Sequence, residues 1–463
     1  MGNESTATGT AVEGRGSPTS TLPKPIAVAA GLPVRVDKWF EARRRLAWVL
    51  TTVLLGVVAA IVVVPAATGL RGGVSPVDEY VYTDALDKAD RGEFSNTGDK
   101  VDQYARQVMV CRGVVGLQPP SPEICGSPLP DGSVPLGGYT SADIHPPTYF
   151  FLTAGVAKVI RAVGLTDDLL TSGRLAGALW LSLGMLALVA LARAWGAGWV
   201  MPVLTAVAIG CSPLLVSVSG YVSPDSMGLM VGAGVLLAVR RWQEERLPHL
   251  ALLAVAVLPA FVKVPFVLAP LFSAVLLVVA AAAGQATWRR TLTGSAILVA
   301  GAGAGAVMWQ ELRGLLAVDV PFIHPDAAPP GFRVFYDYFG YYLDSVPINS
   351  GAPLPVTYVL TYGAQPLPWL LLGAALGGVF LLRREDPVLP VAWAGMAGMV
   401  LGSIVLSFIV FLASGGFLVG TPRYGLALLP MFAVPLMCTR HPVAVLGILG
   451  SAGVSVLAHV LLW

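Results

Sequence analysis

Apolar runs recur along the chain near residues 46–69, 147–163, 172–192, 198–216, 224–239, 248–262, 264–283, 291–310, 362–382, 388–413, 422–437 and 442–462. Most reach the roughly 17–25 residues a helix needs to cross hydrocarbon. Two polar stretches stand out between them, 70–146 and 311–361. The pattern predicts an all-α polytopic membrane protein. Residues 1–37, rich in Gly, Ser, Thr and Pro, read as a disordered cytoplasmic tail, and 38–463 as one integral membrane domain.

The basic residues set the orientation, because Lys and Arg accumulate on the cytoplasmic side. The clusters are Arg43 to Arg45, Arg193, Arg240 and Arg241 with Arg246, Arg289 and Arg290, Arg383 and Arg384, and Arg440. If every run crosses, the clusters at 240 and 289 fall opposite Arg43 to Arg45. The segment 147–163 is short, carries Lys158 and Arg161, and starts at a double proline, Pro146 and Pro147. Letting it lie at the outer interface, or re-enter, brings every cluster inside. The expectation is therefore about eleven transmembrane helices plus one outer interfacial helix, with twelve spans as the alternative. The chain would sit in a plasma membrane with its N-terminus cytoplasmic and 70–146 and 311–361 outside.

Composition agrees: the chain is 55% hydrophobic and 12% charged, about half the charge density of a soluble domain. A net charge of +2 says little about partners, and no basic tract points to nucleic acid. Cys111 and Cys125 share the first polar stretch and are disulfide candidates if it faces an oxidising exterior. Cys211 and Cys438 lie in apolar runs and read as free thiols.

On this topology the unusual polar residues collect at one face. Asp78 and Glu79 open "DEYVYTDALDKADR", which predicts an amphipathic helix on the membrane surface. Two adjacent acids in a first turn suit the helix dipole, and equally suit a general base. Asp143 and His145 precede the double proline of "SADIHPPTYFF". Asp225 opens a span in "YVSPDSMGLM", where it complements the dipole or touches substrate. Lys263 interrupts an apolar stretch between Pro259 and Pro265, a placement suited to holding a phosphate. Arg423 and Tyr424 in "GTPRYG" read as an interfacial anchor or a phosphate fork. The aromatic run from Phe332 to Tyr342 suits carbohydrate or the interface. "GAGAGA" at 301–306, inside an apolar run, reads as small-residue helix packing rather than a dinucleotide loop.

Taken in order, the acid pair after the first span, "HPPTYFF", "RLAGALW", "SPDSMGL", "FVKVPF" and "GTPRYG" resemble the membrane-embedded GT-C glycosyltransferases across residues 46–440. The resemblance implies an inverting enzyme that takes a sugar from a polyprenyl-phosphate-linked donor at the outer leaflet. Asp78, or Glu79, would deprotonate the acceptor hydroxyl. Lys263 and Arg423 would hold the donor phosphate, Asp143, His145 and Asp225 would line the sugar pocket, and Tyr82 would contact acceptor or lipid. The acceptor would be an envelope glycan, lipid or protein. No metal or other cofactor is implied, the lipid-phosphate-linked sugar serving as co-substrate. The second acid pair of metal-using oligosaccharyltransferases is not evident, since Asp225 stands alone. An Ala-, Val- and Gly-rich, Arg-preferring composition points to a bacterial chain and an arabinose or mannose donor. The competing readings are a lipid-linked sugar flippase and a non-catalytic envelope-assembly subunit.

Overall fold

The computed structural model describes residues 35–68, 73–76, 78–115, 117–318, 366–414, 421–439 and 441–462. Among these residues the secondary structure is helical apart from isolated bridges that tie Val74 to Val114, Val114 to Gln118, and Lys100 to Tyr139. The aromatic run from Phe332 to Tyr342 and most of the tail lie outside the described residues. Helix is present from residue 35 to 42, so it begins within the last three residues of the segment expected to be tail. Asp37 explains it, since its Oδ1 accepts the backbone N–H groups of Trp199 at 2.7 Å and Val200 at 2.9 Å. Those are orphan donors at the start of a helix, which a carboxylate satisfies well.

Among the described residues, five helices are long and apolar enough to cross a membrane: Arg44–Thr68, Leu169–Ala194, Val264–Ala282, Trp288–Leu315 and Leu389–Leu412. In the first, Leu55, Ala59, Val62 and Val63 turn inward, while Val49, Val53 and Val57 remain exposed. An apolar stripe facing outward on a spanning helix is the lipid-contacting surface. The run at 198–216 is a broken element, Val200–Gly210 and Pro213–Ser219, bent by 65°. Pro213 accounts for the break, because the residue before a proline is driven out of helical geometry, and Ser212 is extended.

Shorter apolar helices, His249–Val262, Pro366–Leu381 and Leu429–Cys438, complete the bundle with Pro442–Leu462. Trp288–Leu315 lies along His249–Val262. A Cβ on Gly301 would fall 2.6 Å from Ala256 Cβ, and one on Gly305 2.7 Å from the Val257 carbonyl oxygen. Only hydrogen at those two positions permits the close backbone approach, which is what the small-residue run supplies.

The helix expected on the membrane surface is Glu79–Asp90, but it is largely buried rather than lying in the interface. It packs against Thr148–Ala162, a helix of 15 residues that buries Tyr149, Phe150, Thr153, Ala154 and Ala157 along one face. Its charges are satisfied both within the loop and from the neighbouring helices: Lys88 pairs with Asp84 at 2.9 Å, Asp84 also accepts the Asp102 N–H at 2.7 Å, and Asp90 pairs with Arg161 at 2.6 Å. Cys111 and Cys125 are joined by a disulfide with their Cα atoms 5.0 Å apart.

Candidate functional site

Three segments of the bundle share one local design. Ser223, Lys263 and Thr421 are extended. Each leads into a proline-bearing 3-10 turn, Pro224–Met227, Val264–Val267 and Pro422–Ala427, which runs on into an α-helix. Proline suits the first turn of a helix because it has no N–H to leave unpaired. The Pro422–Ala427 turn packs against the other two. A Cβ on Gly232 would fall 2.1 Å from the Ala427 carbonyl oxygen, so glycine there lets the turn carrying Arg423 seat against Gly228–Gln243.

These turns bring together three charges that are far apart in sequence. Lys263 Nζ lies 2.6 Å from Asp225 Oδ1, and both side chains are completely buried. Arg423 Nε lies 3.4 Å from Asp225 Oδ2. Ser223 donates its hydroxyl to the same oxygen at 3.3 Å. Tyr424 lies beneath both cations, with Lys263 Nζ 4.7 Å and Arg423 Cζ 5.7 Å from its ring centre. Asp225 therefore holds the two cations, and both of its oxygens are engaged.

The first loop supplies the fourth charge. The Asp78 carboxylate is ion-paired with the Arg423 guanidinium, and its side chain is 40% exposed, the most open of the four. Its backbone adopts φ 60°, the left-handed region, and its side chain makes no capping bond to the helix it precedes. Asp78 faces the cations rather than its own helix.

Glu79 has a different place. It is fully buried, and its carboxylate takes Arg174 Nε at 2.8 Å on one oxygen and Nη2 at 2.7 Å on the other. It also accepts the Ser75 N–H at 2.7 Å and the Val222 N–H at 2.9 Å. With four donors around it, Glu79 has no free oxygen to offer an acceptor hydroxyl. It clamps the start of the loop helix to the segment leading into Asp225. Arg174 had no assigned role in the sequence reading, although an Arg inside an apolar span was signal enough to mark it.

Tyr82, one helical turn from Asp78, places its hydroxyl 3.4 Å from Asp78 Oδ2 and 2.8 Å from His145 Nε2. Burial pushes the Tyr82 phenol well above its ordinary value, with the Asp78 charge adding to it. Burial drives His145 well below its usual value, aided by Lys263, Arg423 and Arg313, so its imidazole is neutral. The chain Asp78–Tyr82–His145 is thus a hydrogen-bonded line running inward from the half-exposed carboxylate.

Asp143 is not part of this cluster. Its Oδ2 takes the Arg313 fork at 2.6 and 3.1 Å and the Thr97 hydroxyl at 2.8 Å. With Trp309 Nε1 donating to the Ile144 carbonyl at 3.2 Å, this ties the long helix Trp288–Leu315 to the segment that carries His145. Asp78, Tyr82, His145, Asp225, Lys263, Arg423 and Tyr424 converge. Glu79 and Asp143 sit outside as ties to the scaffold.

No family model matches the chain, and no curated protein does. Among solved structures, it is similar to ArnT from Cupriavidus metallidurans bound to undecaprenyl phosphate, at 16% identity and a TM-score of 0.46. The match covers 86% of this chain and 59% of that one, so this chain spans well under two thirds of its length.

Proposed function

We propose that this chain is a membrane glycosyltransferase of the GT-C type, transferring a sugar from a polyprenyl-phosphate-linked donor to an envelope glycan, lipid or protein acceptor at the outer face of a plasma membrane. One observation carries the reading: two buried cations, Lys263 and Arg423, are gathered by Asp225 at three proline turns, and Arg423 pairs with a half-exposed carboxylate, Asp78. A buried Lys is costly unless a charge offsets it, and here Asp225 does so while leaving Arg423 turned toward Asp78. A cationic pair at a helix break suits a lipid phosphate, the Arg by its planar fork and the Lys as a compact charge.

In the proposed reaction Asp78 takes the proton of the acceptor hydroxyl. The acceptor oxygen attacks the anomeric carbon from the face opposite the phosphate, and the bond between that carbon and the phosphate oxygen breaks. The electron pair leaves on the phosphate, which gains a charge beside Lys263 and Arg423, where preorganised cations stabilise it most. Proton and charge both balance: the monoester gains one negative charge and Asp78 gains one proton. Glu79 and Arg174 keep Asp78 opposite Asp225, and Tyr82 and His145 hold the carboxylate from behind.

A transporter would place a charged site built from broken helices near the bilayer midplane. Here the polar stretch 70–146 brings Asp78, Tyr82 and His145 to the charges at the three proline turns, which favours an enzyme working at the membrane boundary. The test is transfer from polyprenyl-phosphate-linked arabinose and mannose to an envelope extract by the purified chain, alongside Asp78→Asn and Arg423→Gln. Asp78→Asn is expected to lose transfer while still binding the lipid donor, and Arg423→Gln to lose donor affinity. Full transfer by Asp78→Asn would remove it as the base.

A further inference from the structure

The four charges of the site are matched two against two. Asp225 and Lys263 are sealed from solvent, and Arg423 is nearly so, with 13% of its side chain exposed. Only Asp78 is reachable, and one of its two oxygens is occupied. Oδ2 carries the Arg423 ion pair and is the same atom that receives the Tyr82 hydroxyl. A carboxylate oxygen engaged this way has no place for the proton of an acceptor. Arg423 is held less firmly on its other side, by the longer 3.4 Å approach to Asp225 and a 3.2 Å bond from Nε to Thr421 Oγ1.

We propose that the Arg423–Asp78 ion pair is a lock on the base that the donor phosphate opens, so that the donor must bind before the acceptor can be deprotonated. This rests on the site reading above. A phosphodiester presents two oxygens to the guanidinium fork and is drawn by Lys263 as well, so it competes for Arg423 against a single carboxylate oxygen. Once Arg423 turns to the phosphate, Asp78 Oδ2 is free of that partner and open to the proton of the acceptor hydroxyl. The backbone favours the release. Asp78 occupies the left-handed region that residues other than glycine seldom adopt. Such a conformation persists only where neighbours impose it. Glu79 fixes the following residue through four hydrogen bonds, and Arg423 holds the carboxylate itself. The lock also keeps the base from acting in a donor-free site, where proton removal would lead nowhere.

The experiment uses the full chain in detergent, with a sugar-free polyprenyl phosphate as the probe. Carboxyl groups are labelled with a carbodiimide and an amine, and labelling at Asp78 is read by peptide mass spectrometry. Binding is followed in the same samples by thermal shift. Saturating lipid phosphate is expected to raise Asp78 labelling several-fold, as freeing Oδ2 from the Arg423 ion pair would. Buried Glu79 and Asp225 are expected to stay unlabelled. Arg423→Gln is expected to show the high Asp78 labelling without lipid. Lipid that binds but leaves Asp78 labelling unchanged or lower overturns the lock and leaves the site reading standing. Arg423→Gln labelled like the parent, without lipid, overturns it too. Absence of any lipid-dependent thermal shift removes the phosphate site itself, and the lock with it.

Discussion

Lys263 and Asp225 form an ion pair at 2.6 Å with neither side chain exposed to solvent. Removing one member leaves the other as an uncompensated buried charge, which costs about 3–5 kcal/mol. Lys263→Met is therefore expected to destabilise the protein by about that amount, seen as a large fall in thermal midpoint in detergent. The double variant Lys263→Met with Asp225→Asn is expected to recover much of the stability without recovering affinity for lipid phosphate. A double variant that binds the lipid like the parent would remove Lys263 from the phosphate clamp.

The adjacent acids are expected to separate cleanly. Glu79→Gln leaves Arg174 buried without its partner and is expected to cost about 3–5 kcal/mol in unfolding. Asp78 is partly exposed, so Asp78→Asn gives up an ion pair worth about 1 kcal/mol or less. Asn also tolerates the left-handed backbone. Its effect is expected in transfer, a loss of about 100- to 10,000-fold. Measuring unfolding and turnover on both variants decides the assignment. An Asp78→Asn protein that merely unfolds, or a Glu79→Gln protein that is stable and inactive, would reverse it.

Stability is expected to fall on the acid side. His145 is held well below its ordinary value of 6.5 by burial and by Lys263, Arg423 and Arg313. Below about pH 6.5 the unfolded chain takes up a proton that the native site refuses, so the unfolded state binds more protons and native stability drops as pH drops. The slope approaches about 1.4 kcal/mol per pH unit for one proton. His145→Gln, which can still bond to Tyr82, is expected to flatten the thermal midpoint between pH 6.5 and 5 relative to the parent. An unchanged slope would place the acid sensitivity elsewhere.

The disulfide is expected to matter for the first loop and not for the chemistry. Cys111 and Cys125 are 14 residues apart, and closing a loop of that size stabilises by about 3 kcal/mol. Cys111→Ser with Cys125→Ser is expected to lower the midpoint accordingly while the variant, kept cold, retains donor affinity. Loss of donor affinity in a still-folded variant would show that the loop reaches the site.

Much of the site could be read before the fold. Asp225, Lys263 and Arg423 each interrupt an apolar run beside a proline, and a charge placed there calls for a partner. The proline says where the helix breaks. Which partner each finds was beyond local pattern. Glu79 meets Arg174 across 95 residues, and Arg423 meets Asp78 across 345. Nothing in "SPVDEY" distinguishes the two acids, because the left-handed turn at Asp78 that sends them to different neighbours is imposed by those same distant contacts. The surface reading of Glu79–Asp90 failed for a related reason. Its polar residues are buried against polar residues of the loop, as Asp84 is against Lys88 and the Asp102 N–H, and periodicity cannot tell that from water.

The length of one helix has a consequence for how deep the reaction lies. His249–Val262 has 14 residues, so even standing upright it rises only about 21 Å, against a hydrocarbon core of about 30 Å. With the basic end at Arg240 and Arg241 taken as the cytoplasmic boundary, Lys263 would be reached several ångströms short of the far headgroups. Under the proposed function, a donor anchored by a polyprenyl tail would come to those charges by sinking along the protein within its own leaflet. A water-soluble sugar phosphate would have to shed its hydration first. Bilayer thickness then becomes a control on turnover, since thicker hydrocarbon lengthens the descent of the donor's phosphate and thinner hydrocarbon brings the site nearer to water.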